Sequence, residues 1–243
     1  MTWILEHGEW QNSPPSTVDH IICDPPYNEI THEGGRTSKT DDGSRYGKHE
    51  KGFDPVDPHD FAPELLEISQ GWVLCFCAFE MLGDYQKAVG LDQYVRSGIW
   101  LKPNPTPQMT GDRPGTPAEA IAIMHPPGRK EWNGGGSAGI WEHNVPKSTM
   151  ANGYDERVHQ TQKPVDLMVD LVTDFTQPGD VIWDPYAGSG TTGVACVQTG
   201  RDFIGHEKDR EHYENARLRL AGAEKGNTLE EEKAGQESLL EPE

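Results

Sequence analysis

The stretch Val181–Glu207 constrains the fold more than any other part of the chain. Val181–Asp184 (VIWD) is a short apolar run that reads as a strand. The next residues, Pro185-Tyr186-Ala187-Gly188-Ser189-Gly190-Thr191-Thr192-Gly193, form a Gly-rich turn that opens a helix through Cys196. Asp202–Glu207 reads as the following strand. Strand, helix and strand in that order make a βαβ unit, and such units build parallel sheets. Gly193 is already 50 residues from the end of the 243-residue chain, and about 20 of those are acidic tail. The N-terminal half must therefore supply the rest of the sheet.

That half contains suitable runs. Val18–Cys23, Trp72–Phe79, Gly98–Lys102 and Glu119–Met124 read as strands. Asp60 is expected to cap a helix from Phe61 to about Ser69, with Phe61, Leu65 and Ile68 on one face. Pro164 opens a helix in which Met168, Leu171, Val172 and Phe175 form an apolar stripe. Arg210–Leu220 reads as a last helix with Tyr213, Ala216 and Leu220 inward. Asn28–Gly52, Pro103–Pro117 and Pro126–Val158 are rich in Gly or Pro and lack an apolar period. Residues 1–222 form one domain, with 28–52 and 103–157 as inserts, and 223–243 an acidic tail expected to be disordered or a frayed helix.

Several classes drop out. The chain has no apolar run long enough for a membrane span and no basic-then-apolar leader at its start. The four cysteines match no zinc or redox spacing, which suits a reduced, cytoplasmic setting. The ten histidines show no metal-ligand spacing, so no metal is expected.

Two turns carry the chemistry. In the first, Gly188, Gly190 and Gly193 spell G-x-G-x-x-G, where glycines let a ligand approach the backbone. Glu207, at the end of the next strand, suits ribose hydroxyls. That pattern fits a nicotinamide dinucleotide as well as any adenosyl ligand. The second turn, Asp24-Pro25-Pro26-Tyr27, ends a strand. It groups a carboxylate, a proline carbonyl and an aromatic ring, which suit a planar heterocycle with an exocyclic amine.

The pair resembles the S-adenosylmethionine-dependent DNA amino-methyltransferases of the N6-adenine/N4-cytosine family. Asp24-Pro25-Pro26-Tyr27 matches their catalytic (D/N/S)-P-P-(Y/F/W) motif, and Asp184–Thr192 matches their D-P-F-x-G-S-G-T-T cofactor loop. His159-Gln160-Thr161-Gln162-Lys163-Pro164 resembles their H-x-T-Q-K-P segment. The catalytic motif comes first and the cofactor loop last, which resembles the β group and differs from the glutamine methyltransferases. The resemblance spans roughly Trp3 to Leu220. It implies an α/β, Rossmann-like methyltransferase fold with circularly permuted motifs: seven strands, Trp3–Glu6 and His20–Cys23 among them, mostly parallel, closed by an antiparallel pair, with helices on both faces.

The resemblance also implies roles. S-adenosyl-L-methionine would lie across Asp184, Pro185, Tyr186, Ala187, Gly188, Ser189, Gly190, Thr191 and Thr192, with Glu207 on the ribose. Thr161 and Lys163 would stand near the methionine carboxylate. Glu9 would stand near the adenine, where the family often has Asp. Asp24 and the Pro25 carbonyl would accept the amino hydrogens of a flipped base, with Pro26 shaping the turn and Tyr27 stacking on the base. Lys102-Pro103-Asn104-Pro105 resembles the W-x-K-x-x-P region near the base pocket, while Trp100 reads as core. Asp at the first motif position leans to adenine N6 over cytosine N4. A catalytically silent nucleic-acid-binding homologue is the alternative from another class. Small inserts imply a short recognition site in double-stranded DNA, or help from a second copy as a homodimer.

The net charge of −19 opposes binding to a polyanion. Its distribution is uneven. Residues 29–52 hold five basic and five acidic side chains, and 96–163 hold eight basic and six acidic. Arg36, Lys39, Arg45, Lys48, Lys51, Lys102, Arg113, Arg129, Lys130 and Lys147 are the expected phosphate contacts.

Overall fold

The computed structural model describes residues 1–27, 55–105, 112, 114–146, 162–227 and 232. Eight strands form one sheet: β1 (Trp3–His7), β2 (His20–Cys23), β3 (Val73–Cys77), β4 (Tyr94–Leu101), β5 (Ala118–Met124), β6 (Ile140–Glu142), β7 (Val181–Asp184) and β8 (Asp202–Glu207). Their order is β1-β8-β7-β2-β3-β5-β4-β6. Every neighbouring pair is parallel except the two made by β5, which runs antiparallel to both β3 and β4.

All seven expected strands are present. The eighth, β6, was not expected. It is three residues long and buries only Trp141, too little for a period to register. It adds to the β4 edge, and the Trp141 indole donates to Asp174 at 2.9 Å.

The central strands are apolar on both sides because both faces are covered. Ile21, Cys23, Val73, Cys75 and Trp183 point to one face. There they meet helix α1 (Pro58–Ile68), through Phe61, Ala62 and Leu65, and helix α2 (Leu82–Val89), through Tyr85 and Val89. Ile22, Leu74, Phe76 and Ile182 point to the other. There they meet helix α3 (Val165–Phe175) and helix α4 (Thr191–Thr199), with Leu220 of helix α5 (Arg210–Lys225) joining the same core. Burying each large apolar side chain contributes roughly 1.5–3 kcal/mol, so these two cores hold the sheet between its helices. All four cysteines are free and buried in them.

Three helix readings need correction. α1 begins earlier than expected: Asp57, not Asp60, is the cap, accepting the His59 amide at 2.9 Å. Pro58 then occupies the first turn, where its missing N–H costs nothing. α2 was not foreseen, since an eight-residue helix offers only Tyr85 and Val89 as buried residues. α5 runs five residues past Leu220 and stops at Gly226, which takes a left-handed φ of 75°. Residues 223–225 of the expected tail thus continue this helix, and beyond Asn227 only Glu232 lies within the described residues. Among the described residues no helix is long and apolar enough to cross a membrane.

Gly193 shows why one glycine of the G-x-G-x-x-G turn is needed. A Cβ there would lie 2.6 Å from Leu220 Cδ2 and 2.7 Å from Phe203 Cε1. Helix α4 can approach β8 and α5 this closely only without a side chain. Gly193→Ala should destabilise the protein by about 1–3 kcal/mol from overpacking, outweighing the ~1 kcal/mol gained in helix propensity. Denaturant unfolding checks this; a rise in stability would contradict the packing argument.

Candidate active site

The parallel strands β1, β8, β7, β2 and β3 all end at one edge of the sheet, and antiparallel β5 begins there. From β7 the chain goes on to β8 on one side, and from β2 to β3 on the other. The crevice between β7 and β2 is thus the topological switch point, where open α/β sheets bind ligands. Asp184 ends β7 and Asp24 follows β2, so both motifs reach this crevice from adjacent strands.

The Gly-rich turn is held from within. Asp184 is buried and accepts the Tyr186 amide at 3.0 Å and the Thr192 hydroxyl at 2.6 Å. Tyr186 turns into the core, where its hydroxyl accepts from the Trp10 indole at 3.2 Å and its ring meets Phe61. Arg219 of α5 reaches back, and its Nη1 donates to the Ser189 carbonyl at 2.6 Å, the Ser189 hydroxyl at 3.0 Å and Thr191 Oγ1 at 3.1 Å. The side chains of Asp184, Tyr186, Ser189, Thr191 and Thr192 therefore shape the turn.

What the side chains leave open is the backbone at Gly188, beside the buried carboxylate of Glu207. Gly188 has φ 53°, and a Cβ built there would meet nothing nearer than the Tyr186 carbonyl at 3.9 Å. Glu207 ends β8 beside it, its carboxylate accepting the Gly188 amide at 2.8 Å and the Asp209 amide at 2.7 Å. Burial pushes the Glu207 carboxyl up, partly offset by these amides. Gly8, after β1, donates its amide to the Glu207 carbonyl at 2.9 Å, and Glu9 beside it is exposed. An open backbone cradle closed by a carboxylate fits an adenosyl ligand with a ribose diol.

The second half of the site is ionic. The Asp24 carboxylate accepts the Tyr27 hydroxyl at 3.1 Å through Oδ1 and faces Lys163 Nζ at 2.5 Å through Oδ2. Lys163 Nζ also lies 3.1 Å from Glu119 Oε2, and Lys102 Nζ lies 2.5 Å from Glu119 Oε1. Lys163 is further seated 4.8 Å from the centre of the Phe76 ring, a favourable cation–π distance. Burial pushes the Asp24 carboxyl up, with Lys163 opposing. Burial acts likewise on Glu119, but Lys163 and Lys102 together bring it down to about 2. Burial alone would lower Lys163; Asp24 and Glu119 outweigh it and hold the ammonium charged.

Several expectations change here. Lys163, expected near a methionine carboxylate, pairs with Asp24 and Glu119 in this structure. Lys102 was a phosphate contact, yet its side chain is buried against Glu119 and lies over Trp100. Trp100 is core, as expected, and its indole donates to the His143 carbonyl. Arg129 and Lys130 are exposed but follow β5, whose antiparallel course carries them to the opposite edge of the sheet. There the neighbouring Glu131 carbonyl accepts the Trp72 indole, just before β3 starts. They are not on the catalytic edge. Thr161, Arg36, Lys39, Arg45, Lys48, Lys51, Arg113 and Lys147 lie outside the described residues.

Glu119 and Arg219 were not singled out from sequence. Glu119 carries a weak signal, a lone acid at the head of an otherwise apolar strand; its partners depend on β4–β5 register, which no local pattern shows.

The fold and the two strand-end turns define a Rossmann-like methyltransferase. The DNA methylase family model of the N6/N4 methyltransferases matches residues 18–218, and the chain belongs to this family. It is 26% identical over 237 residues to the Type II methyltransferase M2.DpnII of Streptococcus pneumoniae, covering 88% of this chain and 86% of that relative. It is 24% identical over 236 residues to the Type II methyltransferase M.HinfI of Haemophilus influenzae, covering 85% of this chain and 64% of that longer relative. Among solved structures, M1.HpyAVI in complex with SAM aligns with a TM-score of 0.64 at 22% identity, covering 90% of this chain and 99% of that one. The cytosine-N4-specific PvuII DNA methyltransferase aligns with a TM-score of 0.63 at 13% identity, covering 90% and 86%. These structures share the fold.

Burial pushes the Asp184 carboxyl up to about 7. Between the ordinary carboxylate range and about 7, the folded protein keeps a proton that the unfolded chain releases, so rising pH weakens folding through this group. Asp184→Asn, which keeps an acceptor for the turn, should lose less stability than the wild type between pH 5 and pH 8. Unfolding curves at the two pH values measure this; equal losses would contradict it.

Proposed function

We propose that this chain methylates the exocyclic amine of a base in double-stranded DNA in the bacterial cytoplasm, with adenine N6 as its target and S-adenosyl-L-methionine as methyl donor. The observation that carries the reading is the Asp24 carboxylate beside the open Gly188 cradle, on neighbouring strands at the switch point. Family membership supports the reaction class.

S-adenosyl-L-methionine supplies an electrophilic methyl group when bound. Gly188 would let it approach the backbone, and Glu207 would hold its ribose hydroxyls. An exocyclic amine is a poor nucleophile, because its lone pair is delocalised into the ring. The base must leave the stack, and the amine must be held at the methyl group. Asp24 and the Pro25 carbonyl accept its two hydrogens, which favours the pyramidal, electron-rich nitrogen. Tyr27 offers the stacking face. Phosphate contact falls to Arg36, Lys39, Arg45, Lys48 and Lys51, in the segment that follows Tyr27, with Arg113 and Lys147.

Asp at the head of the catalytic motif favours adenine N6. The likeness to a cytosine-N4-specific enzyme keeps cytosine N4 as the second reading. Incubation with methyl-labelled S-adenosylmethionine and duplex DNA, followed by nucleoside analysis, separates them. N6-methyladenine is the expected product. N4-methylcytosine would reassign the base, and unlabelled DNA would overturn the proposal. Asp24→Ala should lower the methylation rate by about 100-fold or more while cofactor affinity stays within about threefold.

A further inference from the structure

Tyr27 has one hydroxyl hydrogen and two carboxylates within reach. Its oxygen lies 3.1 Å from Asp24 Oδ1 and 3.1 Å from Glu119 Oε2. Lys163 joins the same two carboxylates from the other side, at 2.5 Å and 3.1 Å. The contacts therefore close a ring that runs Asp24, Lys163, Glu119, Tyr27 and back to Asp24. Lys102 braces it from behind through the second oxygen of Glu119.

The ring has two consequences. Glu119 Oε2 helps hold Lys163 on Asp24 Oδ2, because the ammonium pairs with two anions rather than one. The Tyr27 hydrogen can also pass between Asp24 and Glu119. The two acceptors are of one chemical kind at one distance, and the hydrogen moves by rotation of the hydroxyl alone. This matters at Asp24. Its Oδ2 is engaged by Lys163, and its Oδ1 accepts the phenol. An amine hydrogen arriving at Oδ1 competes with that phenol unless the hydroxyl turns to Glu119.

We propose that Glu119 is a positioning residue for methyl transfer: it holds Lys163 against Asp24 and takes over the Tyr27 hydroxyl when a base amine reaches Asp24. The proposal rests on the reading of Asp24 as the amine acceptor. It gives Lys102 a purpose inside the protein, as the counter-charge that keeps a second carboxylate tolerable in a buried site. Glu119 itself touches neither base nor cofactor in this scheme.

The test uses the full chain with methyl-labelled S-adenosylmethionine and duplex DNA. Glu119→Gln keeps the size of the side chain and removes its charge. It should lower kcat about 10-fold or more while KM for both substrates stays within about threefold. Tyr27→Phe has no hydroxyl to hand over, so adding Glu119→Gln to it should cost less than the product of the two single losses. If Glu119→Gln alone does not fold, the double variant Glu119→Gln, Lys102→Met removes one charge of each sign and is compared with Lys102→Met. A wild-type kcat in Glu119→Gln would overturn the proposal, as would a rise in KM alone. Losses that multiply with Tyr27→Phe would overturn the hydroxyl exchange. Unlabelled DNA with the wild-type protein would instead overturn the methylation reading on which the proposal stands.

Discussion

Charge balance in a desolvated crevice is the constraint on which the rest of the site depends. Two carboxylates, Asp24 and Glu119, and two ammonium groups, Lys102 and Lys163, are packed together at the catalytic edge, Lys163 buried and the other three partly so. Any one of them alone would be costly to desolvate even partly, and removing one partner leaves another charge uncompensated. Together they are neutral, and each is held by at least one opposite charge within 3.1 Å. The geometry that makes the site affordable also orients Asp24, so folding and positioning of the acceptor are one problem.

The sheet solves that problem by topology. Residues 24, 119 and 163 are far apart in the chain, and residue 184 is further still. β2 and β7 are adjacent and parallel, while β5 runs backwards, so the start of β5 meets the ends of β2 and β3. A parallel β5 would deliver Met124 to this edge and send Glu119 to the far one. The single reversed strand is therefore what places the second carboxylate beside the first. The Gly-rich turn is stabilised independently, by Asp184 and Thr192 within it and by Arg219 from α5, leaving its backbone open.

The same topology reassigns the basic residues. A chain with a net charge of −19 must meet DNA through a restricted surface. Charge counting along the chain favoured residues 96–163 as part of that surface. Within it, however, Lys102 neutralises Glu119 inside the protein, and Arg129 and Lys130 belong to the edge opposite the crevice. A local surplus of positive charge says how many cations a segment has. It does not say which way the strand beneath them runs.

The sequence by itself determined the local features. The βαβ unit at Val181–Glu207, six of the seven strands, the stripe of α3 and both strand-end turns rest on short-range patterns of apolar period, Gly and Pro, the first strand on the order of the motifs, and all are in the structure. The three-residue β6 and the eight-residue α2 were hidden because each buries too few side chains for a period to show. Only the tertiary structure decided the site's electrostatics: that Lys163 and Tyr27 both meet Glu119, that Lys102 is spent on it, and that Arg219 grips the glycine turn. Those contacts depend on strand order, on register such as Trp100 opposite Glu119, and on one antiparallel strand. A side chain's local sequence sets its chemistry, but hydrogen bonding between distant strands sets its neighbours.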